Sequence, residues 1–183
     1  MILLSIITET ERAKLNIFLV LVAKGDEHSL SSIYELVGGR LMSVAMGYLR
    51  NVQLAEDVLH DSFINIALHA NTYRQDTNGY AWLCKIVRNT ALNKIKSENI
   101  RRGEDIDSIL DITDGRDLYN DSITSIQVKD AMKYLSGREK TIIWLKYYND
   151  MTVRQIANEI GMTKSTVQDI IKRAETILKE KLK

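Results

Sequence analysis

The sequence predicts an all-α protein in which two small helical domains are joined by a flexible acidic linker. Proline is absent from all 183 residues, while Ile, Leu, Lys and Glu are abundant, and this composition favours helices over a turn-rich β-sandwich. Apolar residues recur at helical spacing in several separate stretches. The charges are distributed unevenly along the chain, and their distribution indicates where one domain ends and the next begins.

Charge counts divide the chain into three parts. Residues 1–97 carry ten Lys and Arg against nine Asp and Glu, residues 98–124 carry three against eight, and residues 125–183 carry twelve against seven. The middle part is rich in Asp and weak in apolar periodicity, which is typical of a linker or a loosely ordered segment. Its acidity would also keep two basic surfaces apart, although a plain solvated linker is the simpler interpretation. We place the domain boundaries near 97 and 125.

A first helix is expected within an N-terminal extension, residues 1–24. The apolar run Leu15–Ala23 is about half as long as the roughly 20 residues that span a bilayer. Glu9 and Glu11 stand where a signal peptide carries positive charge. We therefore expect a core helix, no membrane insertion and a cytoplasmic protein. Its buried face recurs at helical spacing: Leu15, Phe18, Leu19 and Val22.

The helix predicted at residues 53–70 is apolar on two faces. The first face carries Ala55, Val58, Leu59 and Ile66, and the second carries Leu54, Ile64 and Leu68. Asp57 and Asp61 lie within the second face. A helix of this kind is either fully buried or docked to a partner on one side. Unpaired carboxylates are costly in a core, which favours docking; the alternative is that basic residues of the same domain pair with both.

The helix predicted from Tyr80 to Ser97 combines an aromatic ring with a basic stripe. Trp82 and Asn89 are seven residues apart, hence about 20° apart on a helical wheel. A stacking ring, an amide and a row of cations suit single-stranded nucleic acid. A structural Trp in the core is the commoner role and stays the alternative. The buried side is expected to hold Leu83, Val87 and Thr90, and the basic stripe Lys85, Arg88, Lys94 and Lys96.

Local capping signals predict a helix-turn-helix in the C-terminal part. Gly161 ends a short helix, and Thr163 caps the next one, which runs from about Lys164 to the C-terminus. The second helix of such a motif normally enters the major groove. Two pairs upstream have the spacing of capping boxes: Ser136 with Glu139, and Thr152 with Gln155.

The last helix separates a core face from a polar face. The apolar residues that project together are Val167, Ile170, Ile171, Ala174 and Leu178. The polar face and its flanks carry Lys164, Ser165, Thr166, Gln168, Asp169, Lys172, Arg173 and Thr176. Such side chains read base edges and neutralise phosphates, and the carboxylate of Asp169 can accept a hydrogen bond from a cytosine amino group. A merely solvated face is the alternative.

Catalytic and metal chemistry are not indicated. The single Cys84 excludes an intramolecular disulfide and a zinc site built on paired thiolates. His28, His60 and His69 show no metal-ligand spacing. We therefore expect no catalytic residue, no metal site and no cofactor.

Three segments resemble, in order, conserved segments of bacterial RNA polymerase sigma factors of the sigma-70 family: AEDVLHDSFINIAL, YAWLCKIVRNTALNKIKS and LSGREKTIIWLKYYNDMTVRQIANEIGMTKSTVQDIIKRA. The resemblance is to the small extracytoplasmic-function (ECF) type, which has only sigma regions 2 and 4. It covers residues 25–97 and 125–183. It implies a factor that binds core RNA polymerase, directs it to specific promoters and helps nucleate promoter melting.

The resemblance also assigns residues to partners. It implies contact with the polymerase β′ clamp helices by Asp57, His60, Asp61 and Ile64, with the β subunit as a further contact; the family usually has Gln at His60. It implies minus-ten contacts by Tyr73, Arg74, Trp82, Lys85, Arg88, Asn89 and Lys96, with the loop Asn71–Gly79 holding an extruded base. It implies minus-35 contacts by Lys164, Ser165, Thr166, Gln168, Asp169, Lys172 and Arg173. Many relatives have Arg where Ile170 stands, so the preferred base sequence is open. An anti-sigma factor is a further expected partner.

Two other functional classes stay open at this point. A helix-turn-helix regulator that binds duplex operator DNA would need only the C-terminal domain, and it would not need the Trp82–Asn89 face. An unrelated enzyme is the third class. Phosphodiester synthesis belongs to the polymerase, so a sigma factor is not expected to be an enzyme itself.

Overall fold

A computed structural model describes residues 7–49, 51–75, 77–102 and 126–182, and within these ranges the chain forms helices and no β-strand. The helices fall into two compact units, one on each side of residue 110. The predicted fold class, two small all-α domains, is confirmed. The predicted linker lies outside the described residues from 103 onward, and the boundaries near 97 and 125 stay predictions.

Among the described residues of the N-terminal unit, four helices surround its core: α1 (Glu9–Val22), α2 (Glu27–Leu49), α3 (Val52–His69) and α4 (Gly79–Arg102). A short 3-10 turn, Ala70–Thr72, follows α3. Helix α2 lies against all three other helices. Helix α4 continues through Arg102, so the first five residues of the predicted linker are helical.

Helix α1 is part of this core. Its N-terminus is fixed by a capping box in which Thr8 and Glu11 exchange hydrogen bonds. Leu15 and Leu19 are completely buried against α2 and α4. The predicted first core helix is therefore confirmed.

From residue 126 to 182, the described part of the C-terminal unit forms four helices: α5 (Ile126–Met132), α6 (Gly137–Tyr147), α7 (Val153–Glu159) and α8 (Lys164–Lys181). Both predicted capping boxes form, at Ser136 and at Thr152, and each hydroxyl accepts from the backbone three residues later. Thr163 caps α8 in the same way. Gly161 has φ 65°, which ends α7 and turns the chain into α8, so the helix-turn-helix is confirmed.

The core of the C-terminal unit is aromatic and aliphatic. Trp144 of α6 is almost fully buried, as are Ile142 and Ile143, and α8 packs against α5, α6 and α7. No helix among the described residues is both long and apolar enough to cross a bilayer.

Candidate nucleic-acid and partner interfaces

The second face of α3 is open to solvent. Asp57, His60, Asp61 and Ile64 are all exposed, and the exposed fractions of Ile64 and Leu68 are 48% and 67%. The first face, from Ala55 to Ile66, is buried as predicted. The helix therefore presents apolar and acidic groups together on one accessible stripe, which we call the α3 face.

One carboxylate of the α3 face has a partner within the unit. The Asp57 carboxylate lies 3.4 Å from the ammonium group of Lys94 on α4, and the two side chains are 61% and 27% exposed. Asp61 forms no ion pair with any described residue. Of the two alternatives posed by the sequence, internal pairing thus applies to Asp57 alone.

A groove of about 410 Å³ borders the α3 face, between α2 and α3. Its lining includes Leu59 and His60 on α3 and Tyr34 on α2. Tyr34 is half exposed, and its ring meets Phe63 edge-on, with 5.2 Å between centroids. The sequence did not indicate Tyr34, because helix α2 was not identified as a separate element.

Trp82 is less exposed than its helical position predicts. It is half-buried, packs against the core, and its ring lies 5.7 Å from that of Tyr73 at an interplanar angle of 58°. The ring thus lies between the two alternatives posed by the sequence, an exposed Trp and a core Trp, because the loop before α4 brings Tyr73 against it. Asn89 is exposed, as predicted for this side of the helix.

The rest of the basic stripe is accessible to different degrees. Lys85 and Lys96 are exposed, whereas Arg88 is half-buried. Leu83 and Val87 are fully buried, as predicted, but Thr90 is only partly buried, and its hydroxyl donates to the carbonyl of Ile86.

The loop between α3 and α4 is held by its own hydrogen bonds. The Tyr73 hydroxyl donates to the carbonyl of Thr77 at 2.9 Å, and Thr77 donates back to the carbonyl of Arg74 through both its backbone N–H and its hydroxyl. Arg74 is exposed. Asn78 then caps α4 by accepting from the N–H of Ala81 at 3.1 Å. Tyr73 and Trp82 are thereby brought together at the start of α4.

The polar face of α8 is exposed over its whole predicted length. The exposed side chains are Lys164, Ser165, Thr166, Gln168, Asp169, Lys172, Arg173 and Thr176. Val167, Ile171, Ala174 and Leu178 are buried, but Ile170, predicted in the core, is partly exposed at the edge of the face. The hydroxyls of Ser165 and Thr166 lie 3.0 and 2.7 Å from that of the cap, Thr163, so they help to order the first turn.

Arg173 is anchored to a buried carboxylate. Its Nε donates to Oε1 of Glu139 at 2.7 Å, while Oε2 of Glu139 accepts from the Ser136 N–H at 2.8 Å and from the Ser136 hydroxyl at 2.7 Å. Burial alone would raise the pKa of Glu139, but the hydrogen bonds from Ser136 and Arg173 outweigh it and hold that pKa below its ordinary value. Glu139 is therefore charged at neutral pH.

A second side-chain contact joins α6 to α8. The Tyr147 hydroxyl donates to the carboxylate of Glu175. Burial, and then the neighbouring Glu175 charge, raise the pKa of Tyr147, so its hydroxyl keeps its proton. The Arg173–Glu139 and Tyr147–Glu175 hydrogen bonds together fix the orientation of α8 relative to α6.

The described residues contain no group of His, Cys, Asp and Glu side chains that could hold a metal ion. Cys84 is buried against the core.

Comparisons with known proteins match both halves of the chain. The family models described as Sigma-70 region 2 and Sigma-70, region 4 match residues 33–100 and 131–180. The chain is 21% identical to the ECF RNA polymerase sigma factor SigW of Bacillus subtilis over 88% of its own length and 93% of that protein. It is 26% identical to the RNA polymerase sigma factor SigV of the same organism over 76% of its length and 82% of that protein.

A solved structure, CnrH in complex with the cytosolic domain of CnrY, has a similar fold. The TM-score is 0.52 at 18% sequence identity, and the match covers 91% of this chain and 96% of the other.

Proposed function

Since the chain belongs to the sigma-70 family of RNA polymerase sigma factors and is of the ECF type, we propose a division of its promoter-directing activity among three surfaces. The α3 face binds the β′ clamp helices of core polymerase. Helix α4 and its preceding loop engage the minus-ten element as it opens. The polar face of α8 reads the minus-35 element as duplex. The domain boundaries near 97 and 125 belong to this proposal.

The exposed apolar and acidic groups of the α3 face carry the polymerase assignment. Ile64 and Leu68 offer apolar area that nothing in the described unit covers, and Asp61 offers a carboxylate that forms no ion pair with the described residues. When a partner covers such apolar residues, their burial stabilises the interface together with complementary charges. His60, where the family usually has Gln, lies on the same stripe and lines the neighbouring groove.

The pair of rings at the start of α4 supports the minus-ten assignment. Trp82 packs on the core with one side and on Tyr73 with another, so its ring is held in place before any base arrives. A base that leaves the duplex loses stacking free energy. Stacking on an aromatic ring that is already held in place recovers about 1–3 kcal/mol of it. Lys85 and Lys96 lie exposed along the same helix for the phosphates, and Asn89 for a base edge.

The exposed face of α8 supports the minus-35 assignment. Its cations, Lys164, Lys172 and Arg173, lie on both sides of Gln168 and Asp169, which suits backbone contacts around a short run of base contacts. Ile170 lies at the edge of this face and offers an apolar contact to the DNA, for which no base is assigned.

The same proposal covers the remaining properties of the protein. It acts in the cytoplasm, where the polymerase works, and it contributes recognition rather than catalysis, because the polymerase forms the phosphodiester bonds. An anti-sigma factor is a further proposed partner; the solved structure of similar fold, CnrH, is itself a complex with the cytosolic domain of CnrY. A duplex-operator regulator is not favoured, since the N-terminal unit also matches the model of Sigma-70 region 2, over residues 33–100.

The deciding experiment is run-off transcription with purified core polymerase on promoters of the host genome. We expect this protein to stimulate a subset of promoters; stimulation of none would refute the sigma assignment. A double charge reversal, Asp57→Lys with Asp61→Lys, should weaken core binding by about 2–5 kcal/mol, because a docked charge loses its partner. The thermal melting temperature of this double variant should change little, since both carboxylates are exposed. A large loss of melting temperature with unchanged core affinity would assign both residues to the fold instead.

A further inference from the structure

Helix α1 has no assigned role, because the region 2 match begins only at residue 33. It nevertheless lies against α4 and against the 3-10 turn Ala70–Thr72, where the loop between α3 and α4 begins. The side of α1 that faces them carries Asn16 and Leu19.

Asn16 binds the first residue of α4 directly. Its Oδ1 accepts a hydrogen bond from the N–H of Gly79 at 3.2 Å, across 63 residues of sequence. The first N–H groups of a helix have no partner within the helix. Asn78 satisfies one of them through Ala81, and Asn16 satisfies another from outside the helix. The start of α4 is thus fixed to α1.

Any larger residue at Gly79 would force the side-chain ends of Asn16 and Leu19 to move. A Cβ at that position would lie 2.5 Å from Oδ1 of Asn16, 2.7 Å from Cδ1 of Leu19 and 3.4 Å from the Tyr73 hydroxyl. The backbone of α4 therefore begins directly on α1, and the Tyr73 hydroxyl lies at the same point. Trp82 follows Gly79 by three residues, which is less than one helical turn.

We propose that Asn16 is a positioning residue for the minus-ten surface, which consists of α4 and the loop before it. By holding the Gly79 N–H, it sets the position of the first turn of α4 and so the distance between the Tyr73 and Trp82 rings. The inference rests on the proposed role of Trp82 in promoter opening. Helix α1 would thus serve strand opening without touching the DNA.

The first test measures the ring pair in the free protein. Trp82 and Trp144 are the only tryptophans, so a Trp144→Phe background makes Trp82 the sole indole reporter. We expect Asn16→Ala to increase acrylamide quenching of Trp82 fluorescence. Asn16→Asp keeps an acceptor oxygen, so we expect its quenching to equal that of the parent. The matched control is Ile17→Ala, on the exposed side of α1. Identical quenching in Asn16→Ala and Ile17→Ala would overturn the proposal.

The second test measures promoter opening by the full chain with core polymerase. We expect Asn16→Ala to slow opening about fivefold, the size of one hydrogen bond, while core affinity stays unchanged. The same substitution should have no further effect in a Trp82→Ala background, because Asn16 acts through Trp82.

The double variant separates positioning from direct contact. Asn16 also lines an open cavity of about 290 Å³ with Glu9, Arg12 and Asn78, and direct contact of DNA with Asn16 there is the alternative. Additive effects of Asn16→Ala and Trp82→Ala would show direct contact and overturn the proposal. Normal opening by Trp82→Ala alone would refute the proposed function of α4, whereas slow opening by Trp82→Ala with normal opening by Asn16→Ala would refute only the role of α1.

Discussion

The carboxylate of Glu139 connects the fold of the C-terminal unit to its proposed DNA face. It caps α6 through Ser136 and holds the guanidinium of Arg173 on α8. Replacing Glu139 by Gln keeps the side-chain volume and an acceptor oxygen for the Ser136 N–H. It removes the charge, and one amide N–H group then competes with the Arg173 N–H for the same space.

The magnitude follows from the unequal exposure of the two partners. The Glu139 side chain is 6% exposed and that of Arg173 is 65% exposed. Breaking a buried ion pair costs about 3–5 kcal/mol, whereas an exposed pair contributes about 0–1 kcal/mol. We expect an intermediate loss of about 2 kcal/mol for Glu139→Gln. Glu139→Ala should cost about 1 kcal/mol more, because the Ser136 N–H then also loses its side-chain acceptor.

The assay is urea denaturation of the full chain in a Trp82→Phe background, so that the buried Trp144 reports on the C-terminal unit alone. The pH dependence has a defined sign. Because the pKa of Glu139 is lower in the folded state than its ordinary 4.5, its contribution is fully present above pH 4.5 and is lost as the pH falls through the folded value. The gap between the parent and Glu139→Gln should therefore narrow on acidification.

Two results would refute this reasoning. The first is a Glu139→Gln variant as stable as its parent at pH 7. The second is a stability gap that stays constant or widens between pH 6 and the acid limit of folding, because the charge of Glu139 would then not be its source.

Two further predictions concern the turn before α7 and the DNA face of α8. Asp150 has φ 52°, so Asp150→Gly should be more stable than Asp150→Ala by about 1 kcal/mol in urea denaturation; at the exposed helical Asn158 the order should reverse, and the same order at both positions would contradict the backbone argument. In binding of promoter duplexes by holoenzyme, Gln168→Ala should relax preference at one base pair at a cost of about 1–3 kcal/mol, whereas Lys172→Ala should weaken all sequences and flatten the salt dependence. Unchanged affinity for both variants would place the DNA on another face.

The elements that the sequence predicts well are those with local causes. The capping boxes at Ser136 and Thr152 depend on residues three apart, and both form. The two faces of α3 follow from its helical period alone, because the same period places Ile66 inside and Ile64 outside. Local chemistry leaves no alternative in these cases.

Helix α2 was missed for a physical reason. It carries Gly38 and Gly39 in its interior, and glycine lowers helix propensity by about 1 kcal/mol relative to Ala. The helix forms because its buried face packs against three neighbouring helices, which outweighs that cost. At Gly38 the ring of Tyr34 would lie 3.3 Å from a Cβ, so a small residue also suits the packing.

The environment of Trp82 depends on tertiary structure. A helical wheel places Trp82 opposite Leu83 and Val87 but carries no information about the loop that precedes the helix. That loop brings Tyr73 against the ring, and α1 supports the loop from a distant part of the chain. The wheel therefore gave the direction of the side chain and not its burial.

The ion pair between Asp57 and Lys94 is compatible with polymerase binding by Asp57. Both side chains reach solvent, and a pair of this kind contributes about 0–1 kcal/mol. The pair therefore costs little to break when Asp57 docks to a partner. Because Lys94 lies on α4, breaking the pair would also release a cation beside the proposed minus-ten surface. If polymerase binds Asp57 as proposed, the ammonium group of Lys94 becomes available to DNA on α4 only in the complex.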